Sequence, residues 1–349
     1  MINNPAQRGR IRFFDIARGI AIICIILGHF SITQLTRFVF TFHVPIFYLI
    51  TGYFISDRDS VWDFTKKRIR TLIVPYYVTC AAIVILSVVM NELILHWGDS
   101  KEIAVGWIKA ALYGAGDKYS KPFPIKAIGA IWFLWATFWS SLFLRVSLKL
   151  KPVLRLVFVL LLFAAGNWSR KAFFWFPLSI QAGCSATLFL YIGYLGRQVE
   201  AKYREFPFEA KAAWSVFALI VWIFFIRDFE SFWLVHCDVG RGAVDIFGSL
   251  CACYTVMLIS KWLDRHGKCV ATFFAFLGEN SIYMLCAHIV ELDLVPWYVL
   301  QDMLYYDAGV HPYLCLAIIV LCKIVWAVTV TAVFAKWNVT RRLFGMRVK

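Results

Sequence analysis

Apolar residues run in blocks of about twenty along most of this chain, and polar residues gather in the stretches between them. Ten blocks stand out, at about 13–32, 37–56, 71–93, 127–145, 152–167, 179–196, 212–227, 242–260, 270–290 and 312–335. A helix of about 20 residues crosses the hydrocarbon core of a bilayer, and helices satisfy their own backbone groups there. The pattern predicts an all-α integral membrane protein, a single bundle of about ten transmembrane helices. The ninth block allows two boundaries. If Gly278 breaks the helix, the span starts near Glu279 rather than near Thr272; His288 then lies at mid-membrane, and Glu291 and Asp293 become embedded polar lining. Otherwise those two acids belong to an outer loop.

Composition strengthens this picture and excludes a soluble domain. Of 349 residues, 61% are hydrophobic, against about half in an ordinary soluble domain, and the mean hydropathy is +0.70. No polar segment exceeds about 36 residues, so residues 1–349 read as one membrane domain with no soluble appendage. The net charge of +15 suggests nucleic acid or acidic lipid until it is mapped. With the N-terminus in the cytoplasm, 25 of the 36 Lys and Arg fall on the cytoplasmic side and 10 opposite, with Lys323 inside the last span. That bias is the positive-inside pattern. It places both termini in the cytoplasm, makes membrane lipids the surroundings and leaves no role for nucleic acid. The basic stretch Met1 to Arg12 precedes a span rather than a cleavable signal, because no small-residue cleavage pattern follows and His29 interrupts the apolar core. Ten cysteines are scattered without metal-ligand spacing, which predicts small buried hydrophobes and no metal.

Candidate chemistry begins in the first block. Arg18 and His29 are eleven residues apart and share one helical face, separated by about 16 Å. Asp15 stands one turn before Arg18 on that face. Ionisable groups on a membrane helix are costly unless they face a protein interior, and they mark function. His43, just before Pro45, falls in the outer third of the second block, close enough in sequence for both imidazoles to line one cavity. An imidazole titrates near neutrality and suits removal of a proton from a hydroxyl; alternatively, each histidine satisfies a backbone carbonyl. Lys66, Lys67, Arg68 and Arg70 form a cytoplasmic cluster that topology alone explains in large part, although Arg68 and Arg70 approach the same membrane face as Arg18 and guanidinium groups bind phosphates bidentately. The longest outer connection, from Asn91 to Lys126, reads equally as an ordinary loop or as a segment covering a polar entrance.

Four stretches resemble the acyltransferase-3 family of integral membrane O-acyltransferases. They are Phe14-Asp15-Ile16-Ala17-Arg18-Gly19 through Gly28-His29; Phe42-His43-Val44-Pro45-Ile46-Phe47 with Gly52-Tyr53; Ile131-Trp132-Phe133-Leu134; and Leu277-Gly278-Glu279-Asn280-Ser281-Ile282-Tyr283 to His288. Singly each is weak; their order along nearly the whole chain is specific. The Phe-His-x-Pro form is similar to the sugar O-acetyltransferase branch that includes fucose O-acetylases. The resemblance implies transfer of an acyl group, usually acetyl from acetyl-CoA, to a hydroxyl of a glycan or lipid-linked sugar, by a multi-pass protein of the bacterial cytoplasmic (inner) membrane. It also implies that His29 is the catalytic histidine and Arg18 its paired motif residue. Glu279 departs from a position often basic or polar in the family and receives no role.

These readings combine into one expectation. Arg18, Arg68 and Arg70 hold the CoA phosphates at the inner mouth. His29 acts as general base, and His43 orients it or donates to the developing oxyanion. Trp132 and Tyr283, with His288, contact the acceptor, since sugar rings stack on aromatic faces; ordinary bundle packing explains the two aromatics equally. The rival class is a transporter of a glycan precursor or small solute, which uses the same polar residues as a pathway without chemistry. No internal repeat supports it.

Overall fold

The computed structural model describes residues 11–30, 32–96 and 98–346. The residues before Ile11, and Arg347 and Lys349, which entered the charge count, lie outside the described residues. The chain is 80% helical, and among the described residues its extended backbone amounts to an isolated antiparallel bridge between Tyr119 and Ile125. The described residues form, in order, α1 (Arg12–Gly28), α2 (Thr33–Val39), α3 (Pro45–Phe54), α4 (Val61–Arg68), α5 (Val74–Met90), α6 (Ser100–Tyr113), α7 (Trp132–Ser147), α8 (Pro152–Ala172), α9 (Ile180–Glu205), α10 (Phe208–Arg227), α11 (Ala243–His266), α12 (Lys268–Glu279), α13 (Ser281–Leu294), α14 (Trp297–Asp302), α15 (Pro312–Lys336) and α16 (Asn338–Leu343).

Seven helical runs among the described residues are long and apolar enough to cross a membrane, and α12 with α13 makes an eighth if the pair is one broken span. The protein is therefore an all-α membrane protein. Of the ten expected spans, the first is α1, 17 residues long, and the second is not one helix. There α2 ends at Val39, a turn follows, and α3 begins at Pro45. Pro45 has no N–H to donate, so the helix restarts with Ile46 N–H on Phe42 O at 3.0 Å, while His43 N–H closes on Val39 O at 3.0 Å. The ninth expected span also breaks, at Asn280 rather than at Gly278.

The chain divides into two compact units: 1–47, 205–230 and 241–281 form the first, and 48–204, 231–240 and 282–349 the second. In the first unit α1 and α12 cross with their backbones in contact. A Cβ added at Gly19 would lie 2.0 Å from Phe274 O, and one at Gly278 would lie 1.8 Å from Asp15 O. Small residues allow this approach inside a membrane, where apolar burial between helices supplies little driving force. Arg12 fastens the start of α1 by donating to Asp264 Oδ1 on α11 at 3.0 Å and to Thr272 Oγ1 on α12 at 2.9 Å. Trp222 on α10 stacks on Phe38 and donates to Thr41 Oγ1 at 2.9 Å, tying α10 to the turn after α2.

The second unit repeats the glycine device. Gly52 on α3 meets Leu190 O on α9, and Gly193 on α9 meets Leu49 O on α3, each at about 2 Å from where a Cβ would stand. The connections after α6 and before α9 are fastened too. Ser179 Oγ donates to Gly114 O at 2.7 Å and Tyr76 OH to Ala111 O at 2.7 Å. Ile128 N–H donates to Ala115 O at 2.8 Å. The connection after α6 is thus tucked against helices, with Ala115, Ile125 and Ile128 buried.

Candidate active site

In the first unit α1 runs without interruption from Arg18 to Gly28, and His29 is its C-cap. The predicted separation of about 16 Å along one face therefore holds. Arg18 is partly exposed and pairs with buried Asp15 at 3.8 Å, one turn away. This is the level at which Gly19 and Gly278 bring α1 against α12, so the pair sits on a fixed backbone. His29 is exposed at the far end of the helix.

His43 is buried, at 7% exposure, and its Nδ1 lies 2.7 Å from Val39 O. A carbonyl only accepts, so Nδ1 carries the hydrogen and donates; the neutral ring then offers Nε2 as an acceptor. His43 thus does satisfy a backbone carbonyl, as one alternative held, without using its second nitrogen in that bond. Phe40 joins the two histidines' neighbourhoods. Its ring centroid lies 4.7 Å from that of His43, and its edge lies 3.1 Å from where a Cβ on Gly28, the residue before His29, would stand.

The remaining predicted residues belong to the second unit. Arg68 closes α4 with its guanidinium 5.0 Å from the Phe64 ring centroid. Arg70 is exposed in the π-helical turn that follows, and its backbone is covered by the chain after α16: a Cβ on Gly345 would meet Arg70 O at 3.1 Å. Tyr283 is buried, with its ring 4.6 Å from Phe344. It therefore packs against the C-terminal segment. Trp132 opens α7 and is 6% exposed. The connection after α6 lies directly on it, because a Cβ on Gly116 would fall 2.4 Å from the indole.

His288 brings in partners from outside the predicted set. Its Nδ1–H donates to Glu291 Oε1 at 2.8 Å, Lys323 on α15 places Nζ 3.4 Å from Glu291 Oε2, and Trp297 Nε1–H donates to the same oxygen. The side chains of His288 and Glu291 are wholly buried and that of Lys323 is 7% exposed. A carboxylate with three donors is how a charge survives inside a membrane protein. The sequence offers Glu291 as polar lining only if the ninth span starts late, and shows Lys323 only as a lysine within the last span. The i, i+3 spacing of His288 and Glu291 was a visible signal; the lysine 32 residues further on was not. Glu291→Ala is expected to lower stability by about 3–5 kcal/mol, since it leaves Lys323 buried without its counter-charge. Glu291→Gln combined with Lys323→Met should cost less than Glu291→Ala, as read by unfolding midpoints in detergent.

In the connection between α10 and α11, within the second unit, His236 Nε2 faces Asp117 Oδ2 at 3.0 Å and its Nδ1 faces Tyr119 OH at 3.1 Å. Tyr119 stacks on Trp175 with centroids 5.1 Å apart, and burial pushes its phenol well above the usual range. Burial also raises the Cys237 thiol to about 12, which makes it a poor nucleophile. Among the described residues no group of three or more His, Cys, Asp or Glu could hold a metal ion.

The second unit holds a buried polar cluster and the first a cation–imidazole helix, and each is compatible with transport or with catalysis. No curated protein and no solved structure matches the chain, but the model of the acyltransferase-3 family, described as an acyltransferase domain, matches residues 11–336. That match spans nearly the whole sequence, both units included, and so the chain belongs to the acyltransferase-3 family.

Proposed function

We propose that this acyltransferase is an O-acyltransferase of the bacterial cytoplasmic membrane, which moves acetyl from cytoplasmic acetyl-CoA to a hydroxyl of a cell-envelope glycan or lipid-linked sugar. The observation that carries the reading is the unbroken α1, with a guanidinium near the end assigned to the cytoplasm and an exposed imidazole about 16 Å further on. That distance suits a long, thin pantetheine arm, with the phosphates at Arg18 and the thioester near His29. Arg68 and Arg70 are further proposed phosphate ligands, on the strength of their guanidinium chemistry and cytoplasmic placement.

In this reading His29 accepts the proton of the acceptor hydroxyl as its oxygen attacks the thioester carbonyl carbon. The tetrahedral oxyanion collapses, the C–S bond breaks, and the departing thiolate takes the proton from the imidazolium. The products are the ester and CoA thiol, with no net proton gained or lost. His43 has its Nδ1–H on Val39, so in the neutral form its remaining nitrogen can only accept. That favours an orienting role over donation to the oxyanion. Trp132 and His288 remain proposed acceptor-side residues, Trp132 on the strength of the connection that covers it; Tyr283 packs on Phe344 near the C-terminus, the end assigned to the cytoplasm, and is not proposed to touch an outer acceptor.

Purified protein supplied with radiolabelled acetyl-CoA and crude envelope glycan tests the reading. Label in the glycan with matching CoA release supports it. Solute movement across vesicles without acetyl-CoA consumption would replace it with transport. Arg18→Lys keeps the charge and loses the planar fork, and should raise the KM for acetyl-CoA about tenfold with kcat little changed. An unchanged KM would remove Arg18 from phosphate binding.

A further inference from the structure

Asp293 stands in the last turn of α13 with its Oδ2 buried and without a hydrogen-bond partner. Its electrostatic neighbours are Lys126, of opposite sign, and Glu291. Lys126 ends the outer connection and stands 3.2 Å from the centroid of the Trp107 ring. The aromatic face fixes the ammonium, and burial lowers its pKa below the ordinary lysine value. Among the described residues the two charges do not close into an ion pair. Beside them Gly129, at φ +72, turns the chain into α7; a Cβ there would lie 3.8 Å from Asp293 Oδ2.

A buried carboxylate oxygen with no donor is expensive, and a donor that completes it is correspondingly well held. The group that suits an unpartnered carboxylate oxygen with an ammonium among its electrostatic neighbours must both donate and accept. An anion is repelled by Asp293, a cation by Lys126, and an alkyl group satisfies neither. A hydroxyl does both. We propose that Asp293 and Lys126 form a hydroxyl-binding subsite for a neutral polyol, in which one hydroxyl of the acceptor donates to Asp293 Oδ2 and accepts from Lys126 Nζ. The inference rests on the reading of the acceptor as a glycan or lipid-linked sugar, and adds the residues that recognise it. Both residues lie in the second unit, at the outer end assigned by the charge distribution. They act in binding and not in the bond-making step.

The test is ligand-observed NMR on the purified full chain in detergent, with a panel of methyl glycosides and their deoxy analogues as probes. The expected result is saturable binding of at least one glycoside by the wild type. Asp293→Asn and Lys126→Met should each weaken it about tenfold or more, the loss of one good charge-assisted hydrogen bond. Lys126→Arg should recover part of it, and unfolding midpoints should stay at the wild-type value. No saturable glycoside binding by the wild type, wild-type binding by both variants, or loss of binding in proportion to loss of stability would each overturn the subsite. Acetyl transfer to the same glycosides is measured separately. Binding that depends on Asp293 without transfer would keep the subsite and sink the transferase reading; transfer with no dependence on Asp293 or Lys126 would do the reverse.

Discussion

A chain carrying His29→Gln is expected to transfer acetyl about 10²- to 10⁴-fold more slowly than the wild type, the usual contribution of a positioned general base. Glutamine keeps much of the volume and the hydrogen-bonding capacity, but it does not take up a proton near neutral pH. Because His29 is exposed at the end of α1, the substitution disturbs little packing, and surface changes of this kind usually alter stability by less than about 0.5 kcal/mol. Arg18, eleven residues away on the same helix, keeps its place. The expected signature is therefore a fall in kcat with the KM for acetyl-CoA and the unfolding midpoint nearly unchanged. Initial rates of label transfer over a range of acetyl-CoA concentrations give both constants. A variant that transfers at the wild-type rate removes His29 from the mechanism.

The second large effect is expected at Gly278. Any side chain there meets the backbone of α1, with the added Cβ 1.8 Å from Asp15 O and 2.9 Å from Gly19 N. Backbone atoms cannot swing aside as a side-chain tip does, so α1 must move bodily away from α12. Gly278→Ala is expected to cost about 1–3 kcal/mol, the range for overpacking a close contact. Gly278→Leu is expected to prevent accumulation of folded protein. Alanine should also displace Asp15 and its partner Arg18, so Gly278→Ala should raise the KM for acetyl-CoA as well as lower the midpoint. Gly196→Ala supplies the control, because a Cβ on Gly196 has nothing within 4 Å. It should be neutral, or stabilising by up to about 1 kcal/mol through helix propensity. Equal midpoints for Gly278→Ala and Gly196→Ala would show that the crossing is looser than described.

These two positions also show how far the sequence reaches. The relation of Arg18 to His29 is a property of one helix, so spacing and the 3.6-residue period suffice to place both. Gly278 was legible as a break and acts instead as a contact. α12 continues through it, because the missing side chain serves α1 rather than a turn, and the helix ends at Asn280. The second block read as continuous because Phe40 to Val44 is as apolar as its flanks, although Pro45 marked where a helix must restart. Tyr283 stands out in the sequence by its aromatic type and its place in the stretch from Leu277 to His288; its contact with Phe344 lies 61 positions along the chain, beyond any local pattern. Lys323 is the same case. A lone lysine in an apolar span gives no hint of its partner until α13 and α15 are folded against each other.

The central claim is that acetyl enters from the cytoplasm and is used at His29 on the outer side. Sealed inside-out membrane vesicles test it directly, with impermeant radiolabelled acetyl-CoA added outside, where the cytoplasmic face now lies. The account predicts labelled glycan in the lumen, protected from glycosidase added outside, with wild-type protein, and almost none with His29→Gln. Label confined to glycan that the external enzyme can reach, or equal lumenal label in both proteins, would contradict it.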